Sequence, residues 1–216
     1  MSWLTVGHPV KKALSPQERR QRNREEMSTA ILTAAREIMR RDGAGALNLH
    51  ELARHVGLRT SSLYVYFEGK MAIYDALYVI GVRLYREAIQ QTLVTLTDPW
   101  EILQAVFERY MAIAIQNPEL FQLVFERPVP GFVPSESGLA ELQQMTAEME
   151  ALLNRVRLEN PYDRDRRLPD THGLILTVMH GLTALHMAND PDSPVGAGRF
   201  GSLIPAAVAL FKAAWG

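Results

Sequence analysis

The sequence predicts an all-α protein of about nine helices, with an N-terminal three-helix unit of helix-turn-helix type and a larger helical remainder. Three observations predict it. Apolar residues recur at three- and four-residue spacings along most of the 216-residue chain, and no stretch alternates as a strand would. The periodic stretches are parted by helix-breaking punctuation: Asn117-Pro118, Pro128 to Gly131 with Pro134, Asn160-Pro161, and the run Asn189 to Pro194. Between Asn48 and Lys70, two short periodic segments meet at Gly57.

Residues 1–14 read as an irregular arm. A helix from Ser15 or Pro16 to Arg41 follows, and its early turns, with Arg19, Arg20, Arg22 and Arg24, are too polar for a core. Leu49, Leu52, Ala53 and Val56 then mark one face of a short helix. Asn48 caps its first turn, and Glu51 is placed to reach back to the cap's own amide, as in a capping box. Gly57 supplies a left-handed residue, so this helix stops and a second leaves steeply after Leu58. The second runs from Thr60 to about Phe67, with Leu63 and Phe67 inward and Thr60, Ser61, Ser62, Tyr64, Val65 and Tyr66 largely outward.

A third helix is expected from Lys70 to about Leu96, with Ile73, Leu77, Ile80, Leu84 and Ala88 on one side. The remaining helices are expected over Pro99–Gln116, Pro118–Arg127, Ser135 to about Glu159, Pro169 or Asp170 to Ala188, and Arg199–Trp215. The segment from Asp163 to Asp170, alternating with Arg164, Arg166 and Arg167, reads as a solvated charged loop.

Composition narrows the function classes. Hydrophobic residues are 47% and charged residues 22%, which is ordinary globular composition. The longest apolar stretch, Leu174–Met187, is interrupted by His180, Gly181 and His186, so it reads as a buried helix and no membrane partner is expected. Apolar residues precede the first lysines, opposite to a secretory signal, and cytoplasmic residence is expected. Cysteine is absent, which excludes disulfides and thiolate sites.

Six histidines are scattered without HExxH or paired spacing, and no phosphate loop, GxSxG elbow or triad pattern occurs. Neither a metal, a cofactor nor an enzymatic activity is expected. His180 and His186 read as an interface histidine and a partly buried one. Net charge is −1, but residues 1–70 hold 12 Lys and Arg against 7 Asp and Glu, and the rest hold 11 against 17. The basic half is the half with the helix-turn-helix, the electrostatic footprint of phosphate binding.

The second short helix has the chemistry of a groove reader. Small hydroxyls at Thr60, Ser61 and Ser62 allow close approach to base edges, Tyr64 and Tyr66 can donate to phosphates, and Arg59 can pair bidentately with guanine. The amides and dipole at Gly69-Lys70 favour a phosphate. The same pattern also suits a helical hairpin whose tyrosines cover a core.

The segment from Ile31 to Leu77 resembles the DNA-binding domain of the TetR family of transcriptional regulators. The resemblance is carried by Ile31, Ala34, Ala35, Gly43, Leu52, Ala53, Val56 and Gly57. It rests above all on Leu63-Tyr64-Val65-Tyr66-Phe67 followed by Lys70 and Ala72. It departs at Arg59, where the family commonly has a Ser cap, so capping could pass to Thr60. Tyr66 stands where His is frequent, and His50 and Val65 occupy positions that often touch bases. Asn48, His50, Arg59 to Ser62, Tyr64 to Tyr66 and Lys70 are therefore the candidate DNA contacts. Further on, Tyr110–Phe121 and Met179–Met187 resemble the subset of the family with a Trp then His-Gly signature. His180-Gly181 is present here, but no Trp precedes it on that helix.

The resemblance implies domains over 15–77 for DNA binding and 78–216 for ligand binding and dimerisation. It implies a homodimer on a pseudo-palindromic double-stranded operator and a repressor released by a small hydrophobic effector. Apolar, adaptable residues suited to a pocket are Tyr110, Met111, Phe121, Phe125, Met145, Met149, Leu152, Leu174, Val178 and Met179, with core packing the competing explanation for each. A dimer face is expected from Gly181, Ala184 and Ala188, which let backbones approach, and from the stripe Phe200, Leu203, Ile204, Ala207, Leu210, Phe211 and Trp215. Two alternatives stay open: an architectural or non-regulatory DNA-binding protein, and a small-molecule binding module that has lost DNA binding.

Overall fold

Ser15 starts the first helix with a complete capping box: its hydroxyl accepts from the Glu18 amide at 3.2 Å, and the Glu18 carboxylate accepts from the Ser15 amide at 2.7 Å. The computed structural model describes residues 15–158 and 171–215, so the arm, the break at Asn160-Pro161 and the charged segment 163–170 lie outside the described residues. Helix α1 is Pro16–Asp42, exposed through its arginine-rich turns and buried from Ile31 onward. After a 3-10 turn at Ala44–Ala46 come α2 (Leu49–His55), α3 (Thr60–Leu63) and the long α4 (Lys70–Thr95).

Helix α5 (Pro99–Gln116) is capped by Asp98, whose side chain accepts from the amides of Trp100 and Glu101. Helix α6 is only Pro118–Phe121, then α7 (Glu136–Leu158), α8 (Thr171–Asn189), α9 (Gly198–Gly201) and α10 (Ile204–Trp215) complete the described chain. The nine expected helical segments are all present and no strand occurs among the described residues; the last segment is broken after Gly201 into α9 and α10. No helix among these residues is long and apolar enough to cross a membrane.

The stretch after Pro118 and helix α4 depart from the expectation in detail. The stretch after Pro118 is not one α-helix: it passes into a π-helical turn at Gln122–Glu126 and stops at Arg127, the one non-glycine residue with positive φ (50°) among the described residues. On α4 the buried face is not a single stripe. Ile80 is exposed, and Leu84 and Ala88 are half-buried, while Tyr78, Gly81, Val82, Tyr85, Ile89 and Thr92 are buried beside Ile73 and Leu77. The cause is that α4 is covered from two directions, by α5 and by α7, so its apolar surface is wider than an i, i+3, i+4 pattern selects.

Helix α4 runs through two hydrophobic cores. The first gathers Ile31, Ile38, Leu52, Leu63, Ile73 and Leu77, and it extends to Val82, Leu120 and Leu123. The second is built on Tyr85, Phe107, Met111, Phe121, Leu152 and Phe211. Each such side chain removed from water contributes about 1.5–3 kcal/mol before the ordering cost, so α4 is held at both ends by burial. At Gly81 a Cβ would lie 2.7 Å from Val124 Cγ2, which is why the π turn can close on the helix there. Helix α7 is tied along α4 by ion pairs: Arg83 and Arg86 to Glu141, and Arg86 to Glu148.

Candidate nucleic-acid interface and ligand cavity

The helix-turn-helix geometry follows from local chemistry. Asn48 Oδ1 accepts from the amides of His50 (2.8 Å) and Glu51 (3.2 Å), and Gly57 has φ +70° at the turn. The reciprocal half of the capping box is not made, because Glu51 Oε1 is taken by Arg41 at 2.7 Å. A competing cation outweighs a neutral amide for that carboxylate.

Helix α3 is shorter than its sequence suggests. Beyond Leu63 the chain turns through Tyr64–Tyr66, and the Phe67 amide still donates to the Leu63 carbonyl at 3.0 Å. Arg59 is the N-cap residue and no side chain caps the helix: Thr60 is already its first residue, and its hydroxyl is engaged with His50 Nδ1 at 3.0 Å. Capping does not pass to Thr60.

The candidate contact residues lie on one outward surface in part. Asn48, His50, Arg59, Ser61, Tyr64 and Val65 are exposed, with Tyr64 and Val65 at 56% and 61%; Thr60, Ser62 and Lys70 are half-buried. Tyr66 differs, since it is half-buried and packs on the first core. Lys70 holds its ammonium over the Tyr74 ring, 5.5 Å from the centroid, at the start of α4. Two features escaped the sequence reading. Arg24 of α1 donates to the Val65 carbonyl at 3.0 Å, bracing the end of the short helix from 41 residues away, and Met71 is exposed beside Lys70.

A cavity of about 340 Å³ lies within the bundle of α4, α5, α7 and α8, closed on one side by the π turn. Of the residues expected to line it, Tyr110, Phe125, Met145, Met149 and Met179 do so. Met111, Phe121 and Leu152 are packed into the second core instead, Val178 packs against that core, and Leu174 is 48% exposed. Helix α4 supplies a wall that the sequence reading left out, Tyr85, Ala88 and Ile89. Val106, Tyr110 and Ile113 line from α5 at helical spacing, a pattern that was legible in the sequence.

Tyr85, Tyr110 and Phe125 form an aromatic corner, with ring centroids 5.0–5.3 Å apart. Burial pushes the Tyr85 and Tyr110 phenols well above their usual range, so both stay neutral. The Tyr110 hydroxyl lies 3.1 Å from His180 Nδ1, and that imidazole stacks on Phe121 at 5.0 Å. His180 therefore supports the Tyr110 hydroxyl from within the subunit. His186 is wholly buried, with Nε2 3.0 Å from the Ser193 carbonyl.

One segment joins this cavity to the helix-turn-helix unit. The π turn that lines the cavity continues α6, and α6 carries Glu119, whose side chain is fully buried. Its carboxylate accepts from Arg36 Nε at 2.8 Å and from Arg40 Nε and Nη2 at 3.1 Å. Arg36 also donates to Asn117 Oδ1, and Arg40 to the Gln116 carbonyl.

The expected dimer face divides. Ile204, Ala207 and Phe211 are buried inside their own subunit, where Phe211 meets Phe107 at 6.4 Å, so they are withdrawn from it. Leu203, Leu210 and Ala188 face outward, Leu210 at 73%, and Leu185 joins them at 46%. Gly181, Ala184 and Phe200 are half-buried.

A glycine turn that sets a short, hydroxyl- and tyrosine-bearing helix outward on a three-helix unit defines a DNA-binding protein of the helix-turn-helix class. Residues 31–77 match the family model of the bacterial regulatory proteins of the tetR family, which supports a DNA-binding transcriptional regulator. TetR family regulators are non-enzymatic, bind operator DNA, and act as dimers with small-molecule effectors.

A search of curated proteins finds no match to the sequence. Solved structures do match in fold. A TetR family transcription regulator from Marinobacter aquaeolei is 18% identical with a TM-score of 0.66, covering 88% of this chain and 95% of that one. The regulator PfmR from Thermus thermophilus is 20% identical with a TM-score of 0.57, over 83% and 95%. FadR from Bacillus subtilis, solved in complex with stearoyl-CoA, is 14% identical with a TM-score of 0.59, over 84% and 96%.

Proposed function

We propose that this chain is a TetR family regulator, a cytoplasmic homodimeric repressor released from a pseudo-palindromic operator by a small, mainly apolar molecule that enters the α4–α5–α7–α8 cavity. Residues 15–77 serve as the reader, and 78–216 as the sensor and dimerisation unit. The reader's contacts are Asn48, His50, Arg59, Thr60, Ser61, Ser62, Tyr64, Val65 and Lys70, with Tyr66 contributing its hydroxyl at the rim. Leu185, Leu203 and Leu210 supply the apolar part of the dimer face.

The observation that carries this reading is the continuous segment from cavity to reader. Phe125 and Val124 touch the cavity, and Glu119, a few residues earlier on the same segment, grips Arg36 and Arg40 of α1. A ligand that favours one position of the π turn thereby favours one position of α1 and of the braced recognition helix. Such differential affinity is all that is needed to weaken DNA binding. The fold neighbour solved with stearoyl-CoA supports a sensor role for this architecture.

The test is a fluorescence-polarisation titration against duplex DNA from upstream of the gene, at several salt concentrations. Binding that is sequence-selective, dimer-stoichiometric and steeply salt-dependent is expected. Equal affinity for a random duplex of the same length sinks the reading.

A further inference from the structure

The cavity carries a charge pattern at odds with a purely hydrophobic occupant. Most of its wall is apolar, with Ile89, Val106, Met149, Ile175 and Met179 among the lining side chains. Yet two guanidinium groups, Arg109 and Arg127, also line it, together with the His172 imidazole, and among the described residues no Asp or Glu does. Arg127 is exposed and Arg109 half-buried, so both stand at the boundary between cavity and solvent. Neither makes an ion pair among the described residues, in contrast to Arg36, Arg40, Arg83 and Arg86; the one side-chain partner found for Arg109 is Gln91, at 3.4 Å. Glu126, next to Arg127 in sequence, is exposed and does not line the cavity.

Deeper in, the Tyr85 side chain is 3% exposed and its hydroxyl has no hydrogen-bond partner among the described residues. A buried donor left unmade is costly, and such groups are normally satisfied by protein, water or ligand. The Tyr85 ring rests on Tyr110, which follows Arg109, and on Phe125, two residues before Arg127. Tyr85 and both guanidinium groups line the same cavity.

We infer that the effector is an amphiphilic organic monoanion, a carboxylate with a hydrocarbon body. Its charge is met by Arg109 and Arg127, and its oxygens accept from the Tyr85 hydroxyl. Size follows from volume: at roughly 30 Å³ per water-sized group, about 340 Å³ holds about eleven non-hydrogen atoms, which is a medium-chain fatty acid or a short aryl-alkanoate. A cationic amphiphile of the same shape meets two like charges, and a neutral one leaves both guanidinium charges unanswered. This inference rests on the sensor role proposed above and names the ligand class for it.

Calorimetric titration of the full-length protein with nonanoate, decan-1-ol and decylamine, which are matched in size, tests it without DNA. Nonanoate should bind at least tenfold tighter than either of the others. The Arg109→Gln, Arg127→Gln double variant should remove that preference while decan-1-ol binding stays within about twofold, which also shows that the cavity is intact. Tyr85→Phe should weaken nonanoate about fivefold and leave decan-1-ol unchanged. Binding of the alcohol or the amine as tightly as nonanoate, a preference that survives the double variant, or no nonanoate binding at all overturns the inference. Nonanoate that binds as expected but leaves operator affinity unaltered in polarisation upholds the site and overturns the release mechanism instead, so the two failures are distinct.

Discussion

Replacing Arg36 with alanine should cost about 2 kcal/mol of stability, and the reasoning behind that figure is open to direct test. Arg36 makes one charge-assisted hydrogen bond to the fully buried Glu119 carboxylate and one to Asn117 Oδ1, while its own side chain is 29% exposed. The guanidinium is ionised in both, and a hydrogen bond involving a charged group nets about 1.5–3 kcal/mol. Partial exposure and the surviving bonds from Arg40 lower that sum, because Glu119 keeps one cation. For a domain of this size about 2 kcal/mol corresponds to a fall in Tm of roughly 4–8 °C. Urea unfolding and calorimetry of Arg36→Ala, Glu119→Gln and the double variant should show a coupling of about 1 kcal/mol. Arg22→Ala is the internal control: its pair with Glu26 is 64% and 59% exposed, and the loss should stay within about 0.5 kcal/mol. An Arg36→Ala loss as small as that of Arg22→Ala, or zero coupling, refutes the claim that the buried carboxylate clamps α1 to α6.

Lys70→Ala should weaken DNA binding about equally across sequences and lower the slope of log affinity against log salt by about one, read by polarisation; a change confined to one sequence argues against a phosphate contact. Leu210→Glu should give a monomer by light scattering, with subunit stability changed by no more than about 0.5 kcal/mol, since Leu210 is 73% exposed. Gly81→Ala gains about 1 kcal/mol of helix propensity but drives a Cβ to 2.7 Å from Val124 Cγ2, so a net loss of about 1 kcal/mol is expected in urea unfolding, and a net gain contradicts the tight approach. Hydrogen bonding from Arg83, with its charge, and then from Arg86 holds the Glu141 carboxyl below its ordinary 4.5. Its contribution is present above that value and lost as pH falls through the lower folded-state value, so the urea midpoint of wild type should fall more steeply with acid than that of Glu141→Gln.

The reader was legible because its signals are local. Asn48, Gly57 and the Leu63–Phe67 pair each act within a few residues, and the structure puts a cap, a left-handed turn and an inward anchor at those positions. Arg24 bracing Val65 and Arg41 diverting Glu51 act between elements, and no spacing rule announces them. The cavity was half legible for the same reason. Periodicity identifies which face of α5 is apolar, but whether Met111 or Tyr110 meets empty space depends on which neighbours arrive, and α4 arrived with Tyr85 and Ile89. On α10, the apolar stripe was visible but its partner was not. Ile204 and Phe211 face the subunit's own core, and Leu210, on the same short helix, does not.

The uncapped recognition helix has an evolutionary consequence. Helix α3 spans four residues without a side-chain cap, and it is held from outside by Arg24, by His50 and by the burial of Leu63. Ser61, Tyr64 and Val65 are exposed and contribute little to the core. Substitutions there should change stability by no more than about 0.5 kcal/mol. The positions that would spell out a new target sequence are thus free to drift while the scaffold stays folded. A descendant of this chain could acquire a different operator through those positions without any repair to the structure that carries them.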